Sequence, residues 1–572
     1  MIHLQTRQGN AGQAFYRAVS LLGIMTACLL LVLIAGCGSG PDSTPSETSA
    51  RPERSDAEVE PAFGDTLMVH MPSEMPHLNP LTSSDAYATT IMGHVFDTLL
   101  IRDPETLEML PYLAEAWEIS EDNLQYTFTL REGVTFSDGE PLTVEDVKFT
   151  YETIMNPEVD APHLRSYFID IIDCEILDER TVRFTCNRPY YRHIVMLGGM
   201  DILPEHIYGE GEFNNHPNNR SPIGSGPYVL SAWDTGRQVT LARNDRYWGV
   251  DAEDVDVTPY FDRKVYQIIS DPNAAFQVQL RGDLDVMNHR AETWVRQANT
   301  PRFESMFDKY EYYAPAYSYL GWNNRGPLFE DARVRTAMTM LLDRESIRDN
   351  IYYELARTVS GNFMIGTPEH NDNIEPLPFD PEAAEALLDE AGWVDSNGDG
   401  LRDKDGVTMR FDILLPNDSP EGERITTLYR EELSRAGIEM NIRQMEWASL
   451  TERVQSRNFQ AYLMGWSMPP DPDPYQVWHS SQAESGSNYV GFIHEEADQL
   501  IEDARVSFDR DERVAMYHRF HEIVHEEQPY TFLFSRMTLL AVDQRVHGIH
   551  IYPFGPNQFE WFVPTDLQRY TR

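Results

Sequence analysis

Residues 126–139 read Tyr-Thr-Phe-Thr-Leu-Arg-Glu-Gly-Val-Thr-Phe-Ser-Asp-Gly, and residues 146–151 read Asp-Val-Lys-Phe-Thr-Tyr. Apolar and polar side chains alternate up to Leu130, which is the pattern of a half-buried strand. Ser137-Asp138-Gly139 then predicts a turn. Thr143 together with Asp146 is a helix-cap signature. We therefore expect a strand, a turn and a capped helix in this order.

Short blocks elsewhere in the chain extend this pattern. They read Gly224-Ser-Gly-Pro-Tyr228, Arg243-Asn244, Tyr247-Trp-Gly249, Tyr319-Leu-Gly-Trp-Asn323, Phe329-Glu-Asp-Ala-Arg-Val-Arg335, Asp343-Arg344, Gly465-Trp466 and Asp471-Pro-Asp473. With residues 126–151 they resemble, in the same order, extracellular solute-binding protein family 5, the peptide- and nickel-binding receptors of ABC importers. The resemblance covers nearly the whole chain after its N-terminal region. It implies a mixed α/β (α+β) fold of the periplasmic-binding-protein-like type II class.

The resemblance also implies two lobes with a hinge, plus an inserted extra domain. The expected parts are domain I at 63–108, 222–315 and 535–572, the inserted domain II at 109–221, and domain III at 316–534. Two crossing segments, near 313–321 and 531–536, would form the hinge. Closure about such a hinge is a common way to bury a ligand and change the surface shown to a partner.

The function implied by the resemblance is that of a transport receptor and not of an enzyme. Such a protein, expected to be a monomer, captures a peptide or peptide-like solute in an interlobe cleft and delivers it to an ABC permease. Binding without sequence preference needs aromatic walls and a few fixed polar groups. The expected ligand-binding residues are Trp466, Asp471, Asp473, Tyr317, Tyr319, Trp322, Asn323, Ser84, Asp85 and Tyr87. A core position is the alternative for Tyr319 and Trp322.

One position departs from the family pattern. Members that bind a peptide's free amine often carry an aspartate where this chain has Pro469. Asp471 or Asp473 would be the substitute, although residues 471–474 read Asp-Pro-Asp-Pro and are also typical of a rigid turn. The ligand therefore stays open between a peptide with a free amine and another amphipathic solute.

The N-terminal region has the features of an export signal. Arg7 and Arg17 precede an apolar run, residues 18–34, that is followed by Ala35-Gly36-Cys37, and no acidic residue comes before it. A basic start, an apolar middle and small residues before a cleavage site describe a secretory signal at 1–36. The ending resembles the lipobox of bacterial lipoproteins, which implies lipidation of Cys37 and a place on the external side of the cell envelope. A transmembrane anchor is the alternative. Residues 37–62, poor in apolar side chains, would be a flexible tether.

The charge of the chain excludes some partners. It contains 92 acidic and 46 basic residues, a net charge of −46, and losing the signal with its two arginines makes this about −48. A field of this sign repels phosphate, so we expect no nucleic-acid partner. The acidic residues are spread along the chain, which favours a solvated surface adapted to high salt over the alternative of a cationic ligand.

His521-Glu-Ile-Val-His525 matches the zinc-protease pattern H-E-x-x-H on a predicted helix. A secreted zinc metallohydrolase is therefore the alternative function. A zinc site also needs a third ligand and an open coordination position. No residue after His525 follows either usual continuation of the motif, and Pro529 ends the helix. A chance match on a structural helix is the favoured interpretation.

A second motif indicates a calcium loop. Asp395, Asn397, Asp399 and Asp403 resemble the first positions of an EF-hand, but Gly406 stands where the bidentate glutamate belongs. A structural calcium ion is one interpretation and a solvated tight turn is the other. We expect no further cofactor.

Two cysteines remain after the signal and the lipidated residue are set aside. Cys174 and Cys186 flank a predicted hairpin tip at residues 176–182. Opposite positions on paired strands would allow a disulfide in an oxidising compartment, and two packed thiols are the alternative. The strand register decides between them, so the pairing stays open.

Overall fold

The computed structural model describes residues 59–417 and 419–570. The predicted signal, the lipidation site Cys37 and nearly all of the predicted tether lie outside these residues. Within the described ranges, no helix has the length and apolar character needed to cross a membrane.

Strands and helices are mixed along the chain without a regular alternation. In chain order the strands are β1 Thr66–Met71, β2 Leu100–Arg102, β3 Met109–Pro111, β4 Ala114–Ile119, β5 Gln125–Leu130, β6 Ile171–Ile176, β7 Thr181–Cys186, β8 Tyr228–Asp234, β9 Gln238–Arg243, β10 Arg263–Ile268, β11 Val286–Asn288, β12 Phe307–Tyr313, β13 Ala316–Trp322, β14 Ala356–Thr358, β15 Asp403–Lys404, β16 Val407–Thr408, β17 Arg410–Pro416, β18 Glu439–Met445, β19 Ala461–Ser467, β20 Tyr530–Phe532, β21 Phe534–Asp543, β22 Ile551–Tyr552 and β23 Gly555–Pro556.

The α-helices are mostly short, and several begin at a capping side chain. They are α1 Ala86–Val95, α2 Val144–Met155, α3 Pro162–Phe168, α4 His193–Gly198, α5 Glu205–Tyr208, α6 Pro272–Leu280, α7 Ala291–Arg296, α8 Pro301–Glu304, α9 Ala332–Met340, α10 Arg344–Ile351, α11 Pro381–Glu390, α12 Pro420–Arg435, α13 Trp447–Gln455, α14 Tyr475–Trp478, α15 Glu495–Val506 and α16 Arg510–Glu527. Short 3-10 helices lie at Pro217–Arg220, Trp248–Asp251, Ser480–Gln482 and Thr565–Leu567.

Three sheets of more than two strands organise the described chain, beside the strand pairs β2-β3, β15-β16 and β22-β23. The large sheet has the order β12-β21-β11-β1-β10-β9-β8, with β14 paired to β21. Its strands come from distant parts of the sequence, and β1 lies parallel to β10. The small sheet, β4-β5-β7-β6, is antiparallel throughout. The five-stranded sheet has the order β18-β17-β19-β13-β20. We call residues 114–208, which surround the small sheet, the small-sheet region. We call residues 316–532, which surround the five-stranded sheet, the five-stranded region.

The chain passes between the large sheet and the five-stranded sheet at two places. It leaves β12 at Tyr313 and enters β13 at Ala316, and it leaves β20 at Phe532 and enters β21 at Phe534. Both passages fall inside the segments from which a hinge is expected. The exact domain boundaries stay a prediction.

Local sequence signals are confirmed at the strand β5 and at the start of α2, and two further helices begin at an aspartate cap. Strand β5 alternates buried and more exposed residues as expected. Thr143 and Asp146 form a reciprocal capping box at the start of α2. Asp331 caps α9 and Asp509 caps α16 through their carboxylates. These caps satisfy backbone N–H groups that have no partner inside a helix, which fixes where each helix begins.

Cys174 and Cys186 lie on neighbouring strands but do not face each other. Cys174 is opposite Phe184 in the register, and Cys186 is opposite Ile171. Both thiols are free and buried, and burial raises the pKa of each to about 12. In this structure the two cysteines are therefore packed thiols of the hydrophobic core.

Candidate ligand-binding cleft

Trp466 forms a partly exposed aromatic wall on β19. Its ring is nearly parallel to that of Tyr319, with an interplanar angle of 6° and centroids 6.4 Å apart, and it is stacked on Tyr489 at 6.0 Å. Its indole Nε1 donates a hydrogen bond to the Tyr530 hydroxyl at 3.4 Å. These contacts fix the orientation of the ring while leaving one part of it open.

Two cavities meet at Trp466 and Tyr317. The first, of about 320 Å³, is also lined by Trp447, Glu421 and residues of the passage between the sheets. The second, of about 270 Å³, lies between the five-stranded region and Tyr167 of the small-sheet region. Ligand pockets are lined mainly by hydrophobic and aromatic side chains with a few placed polar groups, so these two cavities are candidate binding spaces.

The edge of β19 is open beside the first cavity. Strand β13 pairs with β19 along its whole length, from Ala461 to Ser467. On the other side, β17 pairs only with Ala461 and Tyr462. The segment from Leu463 to Ser467 therefore has main-chain groups that an extended ligand can reach, because a strand edge is a template for pairing.

The two tyrosines of β13 have different positions. Tyr317 is buried but lines both cavities. Tyr319 is fully buried, its ring lies 3.9 Å from that of Tyr530, and its hydroxyl is 3.3 Å from that of Tyr462. Tyr317 can contact a ligand, whereas Tyr319 supports Trp466 from behind.

Trp322 and Asn323 lie in the interior beyond the cleft. Trp322 is fully buried, and its Nε1 donates to the Thr531 hydroxyl at 3.1 Å. The Asn323 side-chain amide donates to the carbonyl of Phe459 at 2.8 Å. Neither residue lines the two cavities that meet at Trp466.

Ser84, Asp85 and Tyr87 lie at the start of α1 and also line neither of these cavities. Asp85 caps the helix by accepting the backbone N–H of Ala88 at 2.8 Å. Tyr87 is half-buried, and burial followed by the charge of Asp85 raises its pKa. The role of Asp85 seen here is structural.

Asp471 and Asp473 make contacts that join separate parts of the chain. Asp471 forms an ion pair with Arg102 at 2.5 Å. Asp473 is almost fully buried, accepts a hydrogen bond from the Tyr190 hydroxyl at 2.5 Å and pairs with Arg505 at 3.2 Å. Burial, and then Asp473, raises the pKa of Tyr190, so the phenol remains a donor.

A second hydrogen bond lies next to this pair. The Tyr191 hydroxyl donates to the carbonyl of Pro472 at 2.6 Å, and the Tyr517 hydroxyl donates to the same carbonyl at 2.9 Å. We call the contacts of Tyr190 and Tyr191 with Pro472 and Asp473 the seam. The seam holds the small-sheet region against the five-stranded region along one side of the second cavity.

Three polar residues of the second cavity were not anticipated from the sequence. Arg192 follows the seam tyrosines, and Asn362 and Glu369 come from the loop after β14. Glu369 pairs with Arg510 at 3.1 Å, whereas the Asn362 side-chain oxygen is buried without a partner. Two tyrosines followed by an arginine, at residues 190–192, are typical of a binding surface. Their spacing does not indicate that they lie deep in a cleft.

The H-E-x-x-H segment lies on α16, and His521 is fully buried there. Its Nδ1 accepts the backbone N–H of Asn371 at 3.3 Å, so Nε2 carries the proton and donates to the Ser360 hydroxyl at 3.1 Å. Burial, and then neighbouring His370 and His525, lowers the pKa of His521 to about 3. Both ring nitrogens are therefore occupied by packing contacts, which favours the structural interpretation of the motif.

The loop from Asp395 to Asp403 is closed by its own hydrogen bonds. Asp395 accepts the backbone N–H groups of Gly398 and Gly400, and Asp403 accepts the Ser396 hydroxyl at 2.7 Å. Among the described residues, no three His, Cys, Asp or Glu side chains are grouped as metal ligands. Calcium binding by this loop stays a prediction.

The family model described as bacterial extracellular solute-binding proteins, family 5 Middle, matches residues 108–488. The chain belongs to this family. Both the predicted family and its association with ABC importers are confirmed. The family 5 chain is 30% identical to the oligopeptide-binding protein AppA of Bacillus subtilis (strain 168) over 555 residues, which cover 94% of this chain and 97% of that protein.

Solved structures confirm the type II fold of this family 5 protein. The AppA structure from Bacillus subtilis in complex with a nonapeptide has a TM-score of 0.76 and 30% identity, covering 88% of this chain and 100% of that chain. NikZ from Campylobacter jejuni in complex with Ni(L-His) has a TM-score of 0.74 and 26% identity, covering 87% and 99%. Structures of this fold thus hold chemically different ligands, so membership of family 5 alone does not name the solute.

Proposed function

We propose that this family 5 protein captures a peptide or peptide-like solute in the cleft at Trp466 and delivers it to an ABC permease. The observation that carries the proposal is the open edge of β19 beside cavities walled by Trp466 and Tyr317. A strand edge offers main-chain hydrogen bonds that do not depend on ligand sequence, and aromatic walls accept varied side chains. The peptide-binding relative AppA supports the same class of ligand.

A pair of peptides tests the use of the strand edge. We expect tetra-alanine to bind in calorimetry, and an analogue with N-methylated internal amides to bind at least tenfold more weakly because it cannot donate to a strand edge. Equal affinities would contradict main-chain recognition. The two peptides have the same charge and the same side chains, and they differ in the amide N–H groups that the added methyl groups replace.

We also propose that the protein is a monomer held at the external face of the membrane by a lipid on Cys37. The apolar run that ends in Ala35-Gly36-Cys37 supports the anchor. We expect Cys37→Ser to release the protein from membranes or to block its processing, and mass spectrometry of the native N-terminus to show an acylated cysteine. A mature chain that begins at another residue would contradict the anchor.

The proposed activity is binding and not hydrolysis. The packing of His521 against Ser360 and Asn371 supports this choice. Metal analysis separates the two functions, because a zinc hydrolase would purify with stoichiometric zinc. We expect the purified protein to contain less than stoichiometric zinc and to cleave none of the peptides that it binds.

A further inference from the structure

Arg192 occupies a buried position at the second cavity. It directly follows the seam tyrosines Tyr190 and Tyr191 and precedes α4. Its side chain lines the cavity, and the residue is only 8% exposed. The seam therefore places a guanidinium group of the small-sheet region at the wall of a space that otherwise belongs mainly to the five-stranded region.

The guanidinium of Arg192 has no acceptor in the described part of the chain. An arginine carries five N–H donors. Its Nε is buried without a hydrogen-bond partner, and its guanidinium carbon lies 5.8 Å from the centroid of the Tyr167 ring. Asp473 is already engaged by Arg505 and Tyr190. The donors of Arg192 therefore remain available.

Other deeply buried arginines of the described chain are satisfied. Their acceptors are the carbonyls of Glu527 for Arg335, Phe532 for Arg344 and Ala436 for Arg402, and the carboxylate of Asp285 for Arg545. Leaving a buried charged donor unpaired is costly. Arg192 departs from this pattern at the wall of a cavity, which indicates that its partner comes from outside the chain.

The charged side chains that line the second cavity indicate which kind of ligand group would pair with Arg192. Its lining carries Arg192, Glu369 and Asp473 as charged groups, and both carboxylates already have arginine partners, Arg510 and Arg505. Burial alone would lower the pKa of Arg192, but nearby tyrosines and Asp473 raise it, so the group stays cationic. The available charge in the cavity is positive.

We propose that Arg192 binds a carboxylate of the solute, so that the protein selects peptides or peptide-like molecules with an anionic group at this end. The inference rests on the proposed function and adds a substrate class to it. A guanidinium and a carboxylate match as two parallel hydrogen bonds. The buried Asn362 side-chain oxygen, which lines the same cavity without a partner, would accept an N–H from the same end of the ligand.

Three synthetic peptides distinguish the sources of the carboxylate. They are tetra-alanine with a free C-terminus, tetra-alanine amide, and Ala-Ala-Glu-Ala amide. In calorimetry with the wild type we expect the free acid to bind about 10- to 100-fold more tightly than tetra-alanine amide, the range for a charge-assisted hydrogen-bonded pair. Tight binding of the glutamate peptide would show that Arg192 binds a side-chain carboxylate. Weak binding of this peptide would show that Arg192 binds the C-terminal carboxylate. Equal affinities for all three peptides would overturn the role of Arg192 and leave peptide binding intact.

Variants connect this preference to Arg192. We expect Arg192→Gln to remove the difference in affinity between the free acid and the amide. We expect Arg192→Lys to keep part of this difference, because lysine retains the charge but not the planar arrangement of guanidinium donors. Arg188→Gln is the matched control, since Arg188 is half-exposed and paired with Asp170. An acid preference that survives in Arg192→Gln would overturn the proposal.

Stability gives a second readout. Because the guanidinium is unpaired in the ligand-free chain, we expect Arg192→Met to leave the melting temperature of ligand-free protein unchanged or to raise it. A clear drop would assign Arg192 a structural role and contradict the proposal. If the wild type binds none of the three peptides, the peptide function fails. In that case the role of Arg192 is tested by mass spectrometry of the solute that copurifies from the native host. Loss of that solute in Arg192→Gln supports the proposal, and equal loads overturn it.

Discussion

Trp466 is the more exposed of the two aromatic side chains that line both cavities, the other being the buried Tyr317. Truncating a buried aromatic anchor typically costs about 2 kcal/mol of binding free energy, which is roughly thirtyfold in affinity. We expect Trp466→Ala to weaken peptide binding at least that much with little change in circular dichroism. Trp447→Ala, in the first cavity alone, tests which cavity holds the ligand. Trp233→Ala is a half-buried control outside both cavities, and unchanged affinity in Trp466→Ala would place the ligand elsewhere.

His521 makes stability depend on pH. Its folded pKa of about 3 is below its ordinary value of 6.5, so the unfolded chain binds the proton first. The contribution is fully present above pH 6.5 and is lost as the pH falls toward 3. At pH 5 the loss is about 2 kcal/mol of unfolding free energy, from 1.36 kcal/mol per pH unit.

Urea unfolding at pH 7.5 and pH 5 measures this contribution. His370, His518 and His525 lie near His521 and contribute to the electrostatics that lower its pKa. We therefore expect His521→Gln to be less sensitive to acid than the wild type. His550→Gln, at an exposed position, is the control. Identical pH dependence in His521→Gln and the wild type would contradict the buried neutral imidazole.

At the scale of elements, the seam connects the small-sheet region to the five-stranded region. A hydrogen bond to a charged group contributes about 1.5–3 kcal/mol. We expect Tyr190→Phe, which removes the donor to buried Asp473, to weaken peptide binding about tenfold by loosening the contact between the two regions that border the second cavity. Asp471→Asn breaks a more exposed ion pair and should change affinity less than threefold. A Tyr190→Phe variant with wild-type affinity in calorimetry would show that the seam does not contribute to ligand retention.

Local elements could be predicted from the sequence because their causes are local. The alternation in β5 and the caps at Thr143, Asp331 and Asp509 depend on neighbours within a few residues. The aromatic wall at Trp466 was anticipated by family resemblance. The partners of Asp471 and Asp473 were not, because Arg102 and Tyr190 lie far away in sequence. For the same reason, no sequence pattern marks Arg192 as a buried donor without an acceptor.

At the scale of the whole molecule, net charge affects stability. A mature chain of about −48 experiences self-repulsion in dilute buffer. Added salt reduces this repulsion, since the Debye length falls from about 10 Å at 0.1 M to about 3 Å at 1 M. We expect the melting temperature to be higher in 1 M than in 0.1 M sodium chloride. A flat or falling melting temperature over this range would contradict surface repulsion as an important contribution.

Native mass spectrometry tests most directly whether the cleft binds peptides. The mature chain would be incubated with an equimolar mixture of synthetic peptides of two to nine residues, with Trp466→Ala treated in parallel. We expect the wild type to retain peptide at one molecule per chain and Trp466→Ala to retain much less. A folded wild-type protein that retains no peptide from the mixture, or a Trp466→Ala variant that retains as much as the wild type, would contradict peptide capture at this cleft.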